Sequence, residues 1–278
     1  MRGAAARNIA KAWTLVALLA GAFAGVGWLL ADSRGAILFA ACSLLAASGA
    51  YAVGDRALLG MLRARPFALA EDPLLRSTVD RIAAQLDIQP PKLHLIDDTF
   101  PRAFSVGRGP RNATVVVSAG LLTALPPPEI AAVLAHELAH IRARDVLTQS
   151  SAVLLSTTLL ELARIGGFLS GALLSVFAPI ASAFTHALLS PKRELAADAA
   201  AARLVDPHDL ADALIRLDRA AELVEFSAAP TTEPLYTVSP FDHTERVARM
   251  FQTHPPLGDR VARLRGAADT QRSSQVPG

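Results

Sequence analysis

The sequence predicts a mainly α-helical, membrane-inserted chain carrying a small α+β domain. Two uncharged runs of 19 residues, Trp13 to Ala31 and Ala36 to Gly54, lie almost end to end, and a further apolar stretch fills residues 146–190. Between and after them come short alternating segments and amphipathic ones, including a helix-spaced segment with two histidines four residues apart. Composition agrees. The 278 residues are 52% hydrophobic and 19% charged, with a mean hydropathy of +0.35, which excludes a disordered chain. A net charge of +2 without a basic run or an aromatic-basic stripe excludes nucleic acid as a partner. The single cysteine, Cys42, rules out an internal disulfide framework and a cysteine-rich metal module. Any metal must therefore be held by histidine and carboxylate.

Each uncharged run is about 28 Å long as a helix at roughly 1.5 Å per residue, close to the roughly 30 Å hydrocarbon core of a bilayer. The turn between them is Asp32-Ser33-Arg34-Gly35, so residues 13–54 are expected to form a transmembrane hairpin. A cleaved leader would fit the Arg2, Arg7 and Lys11 flank, but the second run follows at once, as a retained hairpin requires. Arg2, Arg7 and Lys11 before the hairpin and Arg56, Arg63 and Arg65 after it outweigh Arg34 in the turn. The positive-inside bias puts residues 1–12 and everything after residue 55 in the cytoplasm. Residues 146–190 have room for two crossings, the favoured reading, or for a helical pair buried on the membrane surface.

In the polar segments, Asp72-Pro73 reads as a helix start, with Leu75, Val79, Ile82 and Leu86 on one face. Pro90-Pro91 break the chain, Lys92 to Ile96 alternates as a strand, and Ala113 to Ser118 gives another. Pro101 to Gly107 lies between them, and the whole is expected to make a small sheet. A helix should follow from about Pro127 to Arg144, and another from Asp206-Pro207 with Leu210, Leu214 and Leu217 on one face. Residues 228–240 read as an extended loop and 266–278 as a disordered tail.

The chemistry lies in His136-Glu137-Leu138-Ala139-His140. At i and i+4 on a helix the two imidazoles share a face and can meet one ion, while Glu137, about 100° round the axis, can reach a water on that ion. Two histidines leave a catalytic zinc one protein ligand short, and Glu194 is the leading candidate. Asp198 follows it by four residues on the same face, where it can accept a hydrogen bond from a ligand histidine. Because His136, His140 and Glu194 must meet, the apolar region between them has to return to the side it left. Two crossings or none survive, and one is excluded.

These residues resemble the membrane zinc metalloproteases of the HtpX and CAAX prenyl protease type, most closely the former. The resemblance runs from about residue 12 to residue 265. It rests on the leading hairpin, Pro101 to Gly107, the motif running into Ile141-Arg142-Ala143-Arg144-Asp145, Arg193-Glu194 with Asp198, and Phe251 to Pro256 followed by Arg260. Arg102 departs from the usual asparagine and Pro191 from the usual arginine; neither is a ligand candidate.

The resemblance implies a gluzincin-like domain over residues 55–265, interrupted by the apolar region 146–190. It implies one zinc ion, an active site facing the cytoplasm from a multi-pass protein of the cell membrane, and cleavage of misfolded or membrane polypeptides in stress-linked quality control. Glu137 would be the general base, and His254 and Arg260 are candidates for stabilising the oxyanion. Proteases of this design hold an extended peptide against a sheet edge, which points to Val115, Val116 and Val117 as substrate-binding residues. Two other readings are a narrow CAAX-type processing enzyme, which usually carries more spans, and a zinc-binding adaptor without activity. The presence of Glu137 argues against the adaptor.

Overall fold

The computed structural model describes residues 2–68, 72–150, 152–153, 178–180, 182–183, 185–186, 189–223 and 254–275; many side chains of the first helix, and those of 221–223 and 272–275, are not described. The helix α1 (Arg2–Met61) breaks at Ala31, φ −154° and ψ 36°, and Asp32, φ 50° and ψ −142°. Gly27 and Gly35, which would stand about 12 Å apart on one straight helix, are in backbone contact. A Cβ on Gly27 would lie 2.2 Å from the Gly35 carbonyl oxygen, so only glycines permit this approach. The two arms of α1 therefore double back on each other, with the turn where Asp32 and Gly35 predict it. Trp28, Leu29, Ile37, Leu38 and Leu45 on these arms are exposed. Among the described residues no helix is long and apolar enough to cross a membrane.

The chain then forms β1 (Arg65–Pro66), α2 (Pro73–Gln85), β2 (Lys92–Ile96), β3 (Ala103–Gly107) and β4 (Ala113–Ser118). The Asp72 side chain accepts from the Leu75 amide and caps α2, as the sequence predicts. Most of residues 146–190 and all of 228–240 lie outside the described residues, and the expected membrane pair and extended loop lie with them. The described helices that follow β4 are α3 (Ala119–Ala124), α4 (Pro127–Ala143), α5 (Pro191–Ala201), α6 (Pro207–Leu223) and α7 (Leu257–Gln275).

Among the described residues the four strands run in the order β1-β2-β4-β3, with β2 and β4 parallel and the other pairs antiparallel. Strand alternation sends Leu93, Leu95, Val115 and Val117 into the core with α2, α4 and α6. Ile96, Phe104, Val106 and Val116 face the other way and pack with Leu58 at the end of α1. The catalytic-motif helix thus lies on one face of the sheet and the end of the hairpin on the other.

Two expectations are corrected. β4 is an interior strand, paired residue for residue with β2 on one side and β3 on the other. Val115, Val116 and Val117 are fully buried and cannot pair with an added peptide, because their main-chain groups are already in the ladder. Residues 266–275 are helical. Leu264 and Ala268 are buried, and Gln271 donates to the Ala202 carbonyl at 2.8 Å, which holds the end of α7 down.

Candidate active site

α4 begins with Pro127 at its first position and ends at Arg144, which takes the left-handed conformation, φ 62°, and donates its amide to the His140 and Ile141 carbonyls. Every residue of the His136 to His140 motif is buried. The two ring Nε2 atoms face one another at 3.2 Å. Glu194 comes from the first turn of α5, which is capped by Ser190 through the Lys192 amide and opens with Pro191. Its Oε2 lies 3.5 Å from His136 Nε2 and its Oε1 lies 3.5 Å from His140 Nε2. The ligand atoms of His136, His140 and Glu194 all fall within 4.8 Å of one another, a group able to hold a metal ion.

The far side of each imidazole is engaged by an aspartate. His136 Nδ1 lies 2.9 Å from Asp198 Oδ1, and His140 Nδ1 lies 3.2 Å from Asp145 Oδ2. With a proton on each Nδ1, beside its aspartate, both Nε2 atoms would be free to bind an ion held with Glu194. Two neutral imidazoles and one carboxylate fit zinc among the divalent ions.

Electrostatics follow the geometry. Burial would keep His140 neutral, but Glu194 and Asp145 outweigh it and push the pKa up to about 10. Burial would also raise the Glu194 carboxyl, yet His140, His254 and His136 hold it well below the usual carboxylate range. For Asp198 burial is likewise overcome, by the hydrogen bonds to Arg260 and His136.

Most residues singled out from the sequence meet here. His254 Nδ1 lies 3.4 Å from Glu194 Oε2, so this side chain borders the cluster. Arg260 is buried and gives Nε to Asp198 Oδ2 and Nη2 to Oδ1, both at 2.8 Å. Those donors are turned to Asp198 rather than to a developing oxyanion. The three valines do not join the site. Arg102 has its guanidinium on Asp98, while its amide goes to Ser118 Oγ, so it anchors the start of β3.

Sequence reasoning assigned no role to Asp145, Arg193 or Ser105. Arg193 Nε stands 3.8 Å from Asp145 Oδ2, and its Nη2 donates to Glu194 Oε1 at 3.4 Å. Ser105 on β3 donates its hydroxyl to Glu137 Oε2 at 3.0 Å. An acidic residue directly beyond the histidine motif was the available signal for Asp145; nothing in the spacing marked Ser105.

A small mixed sheet over a His-Glu-x-x-His helix, with a carboxylate completing a buried metal-ready group, defines a metallopeptidase. The chain belongs to peptidase family M48, whose profile matches residues 69–268. It is 37% identical over 279 residues to a protease HtpX homolog of Acidiphilium cryptum, covering 94% of this chain and 97% of that protein. It is 33% identical to a homolog of Pelotomaculum thermopropionicum, covering 94% of this chain and 99% of the relative. Protease HtpX of Legionella pneumophila is 33% identical, with 93% and 98% covered. The crystal structure of S. mikatae Ste24p shares the fold, with a TM-score of 0.50 and 18% identity over 95% of this chain and 66% of that one.

Proposed function

We propose that this metallopeptidase is a membrane-bound zinc endopeptidase that cuts misfolded or damaged membrane and cytoplasmic polypeptides. The observation that carries the chemistry is the convergence of His136 Nε2, His140 Nε2 and Glu194 beside Glu137. His136, His140 and Glu194 would hold one zinc, which supplies Lewis acidity to the scissile carbonyl and acidifies a water. Glu137 takes the proton of the attacking water and delivers it to the leaving amine. Asp198 and Asp145 orient the two histidines through Nδ1, and Arg260 holds Asp198. His254, at the rim of the cluster, is the remaining candidate to stabilise the oxyanion.

An extended substrate would add to the outer side of β3, next to the site, by displacing what now covers it, because β3 is buried throughout and Gly107 gives its amide to Ser150. Recognition of main chain more than side chains suits unfolded polypeptides, which supports a quality-control role. Membrane insertion is supported by the two uncharged 19-residue runs and by the exposed Trp28, Leu29, Ile37, Leu38 and Leu45 on the hairpin arms. With the basic flanks inside, the site faces the cytoplasm.

The test is cleavage of an unfolded model protein by the full chain purified in detergent, with zinc and after chelation, alongside alkaline extraction of membranes. Zinc-dependent cleavage by a protein that stays in the membrane pellet is expected. Zinc binding without cleavage of any unfolded substrate would contradict general proteolysis, and release into the supernatant would contradict insertion.

A further inference from the structure

Ser105 is fully buried at the centre of β3, where an apolar β-former would serve packing better and a hydroxyl costs free energy unless it is bonded. Its bond is to Glu137 Oε2, from a strand 32 residues earlier in the chain. The main chain of Ser105 has a second orientation. Arg102 gives its amide to Ser118 Oγ and takes the Ser118 amide on its carbonyl, so it turns toward β4. Gly107 sends its amide to Ser150 Oγ instead. By strand alternation Ser105 shares the outward turn of Gly107. One residue therefore turns its backbone away from β4, toward the covered outer side of the strand, and its side chain to the carboxylate.

We propose that Ser105 is a positioning residue: its hydroxyl holds Glu137 Oε2 so that Oε1 exchanges the proton, and it ties that carboxylate to the strand on which the peptide lies. This rests on the reading of Glu137 as the base. The hydroxyl keeps its own proton throughout; the proton taken from the attacking water passes through Oε1 to the leaving amine. A hydroxyl to carboxylate hydrogen bond is of the stronger, charge-assisted kind.

The experiment compares Ser105→Ala, Ser105→Cys and Ser105→Thr in the full-length protein, with kcat, KM and zinc content for each. Melting of the metal-free protein is also measured for Ser105→Ala, Glu137→Ala and the double variant. Ala and Cys are expected to lower kcat about tenfold with KM within about twofold and zinc content unchanged. Thr, which keeps the hydroxyl, should recover most of the rate, and Cys, which keeps the size, should not. The melting losses of the two single changes should not add, because they remove the same bond. Unchanged kcat in Ala and Cys, a rise in KM alone, additive melting losses, or rescue by Cys rather than Thr would overturn the positioning role. If Ser105→Ala fails to fold, Cys against Thr decides. A wild type that holds zinc and cleaves nothing would overturn the protease reading and this role with it, an outcome distinct from active enzyme with indifferent Ser105 variants.

Discussion

Arg260 grips Asp198 with two hydrogen bonds of 2.8 Å, and the same carboxylate stands 2.9 Å from His136 Nδ1. The guanidinium, almost wholly buried, thus acts on the candidate ligand His136 through one intervening residue, Asp198. Asp198→Asn is expected to weaken zinc binding by about 10- to 100-fold, since the imidazole loses its orienting acceptor. Arg260→Met strips the buried Asp198 carboxylate of its guanidinium partner, leaving only His136 beside it, and should also cost about 3 kcal/mol of stability. Competition with a chelating dye and denaturant unfolding check the two values; unchanged affinity in both variants would contradict the relay.

Asp145 plays the corresponding part for His140 at 3.2 Å, with Arg193 Nε beside it at 3.8 Å. Asp145→Asn should weaken zinc binding by about 10-fold or more. Arg193→Gln should do less, because its approach to Asp145 is long. The same dye competition measures both, and a larger effect at Arg193 would reverse this ranking.

The group able to hold a metal was legible because helical spacing determines which side chains share a face: His136 with His140, and Glu194 with Asp198. Asp145 escaped because it lies beyond the left-handed Arg144, where helical spacing no longer says which way a side chain points. The strands at 92–96 and 113–118 showed in their alternation and valines, but alternation does not give spatial order. Inserting β4 between β2 and β3 is a tertiary choice, and it moved the candidate substrate edge from Val115, Val116 and Val117 to β3. Ser105 became visible only when that strand was laid across α4. The end of α7 was missed for a related reason: its sequence is polar, and its helicity depends on tertiary packing, the helix lying extensively against α6 and Gln271 bonding the Ala202 carbonyl.

Gly107 ends the edge strand with φ +146°, and a Cβ there would fall 2.3 Å from the Asn112 carbonyl oxygen. Gly107→Ala must therefore move the β3–β4 connection, at a cost of about 1–3 kcal/mol. Its amide, now on Ser150, shifts with it, so KM for an unfolded substrate should rise while zinc content stays the same. Steady-state kinetics with metal analysis checks this; a variant with wild-type KM and stability would argue against β3 as the substrate edge.

The pH dependence of the metal-free protein follows from His140, whose pKa is pushed from its ordinary 6.5 up to about 10 as Glu194 and Asp145 overcome burial. A folded-state pKa above the unfolded one contributes stability that is fully present below 6.5 and is lost as pH rises through about 10. Melting temperature of the chelated protein should fall across that interval. Zinc must expel this proton, so apparent affinity should climb by up to about tenfold per pH unit, with about one proton released per ion. Titration calorimetry in two buffers of different ionisation enthalpy reads the proton directly, and zero release at neutral pH would contradict the arrangement.

The most direct test is Glu137→Gln, with zinc content and cleavage of an unfolded protein measured on the same preparation. A variant that binds zinc as the wild type does and has lost cleavage by about 100-fold or more is the predicted result. Cleavage within a few-fold of wild type at full zinc occupancy would contradict Glu137 as the base.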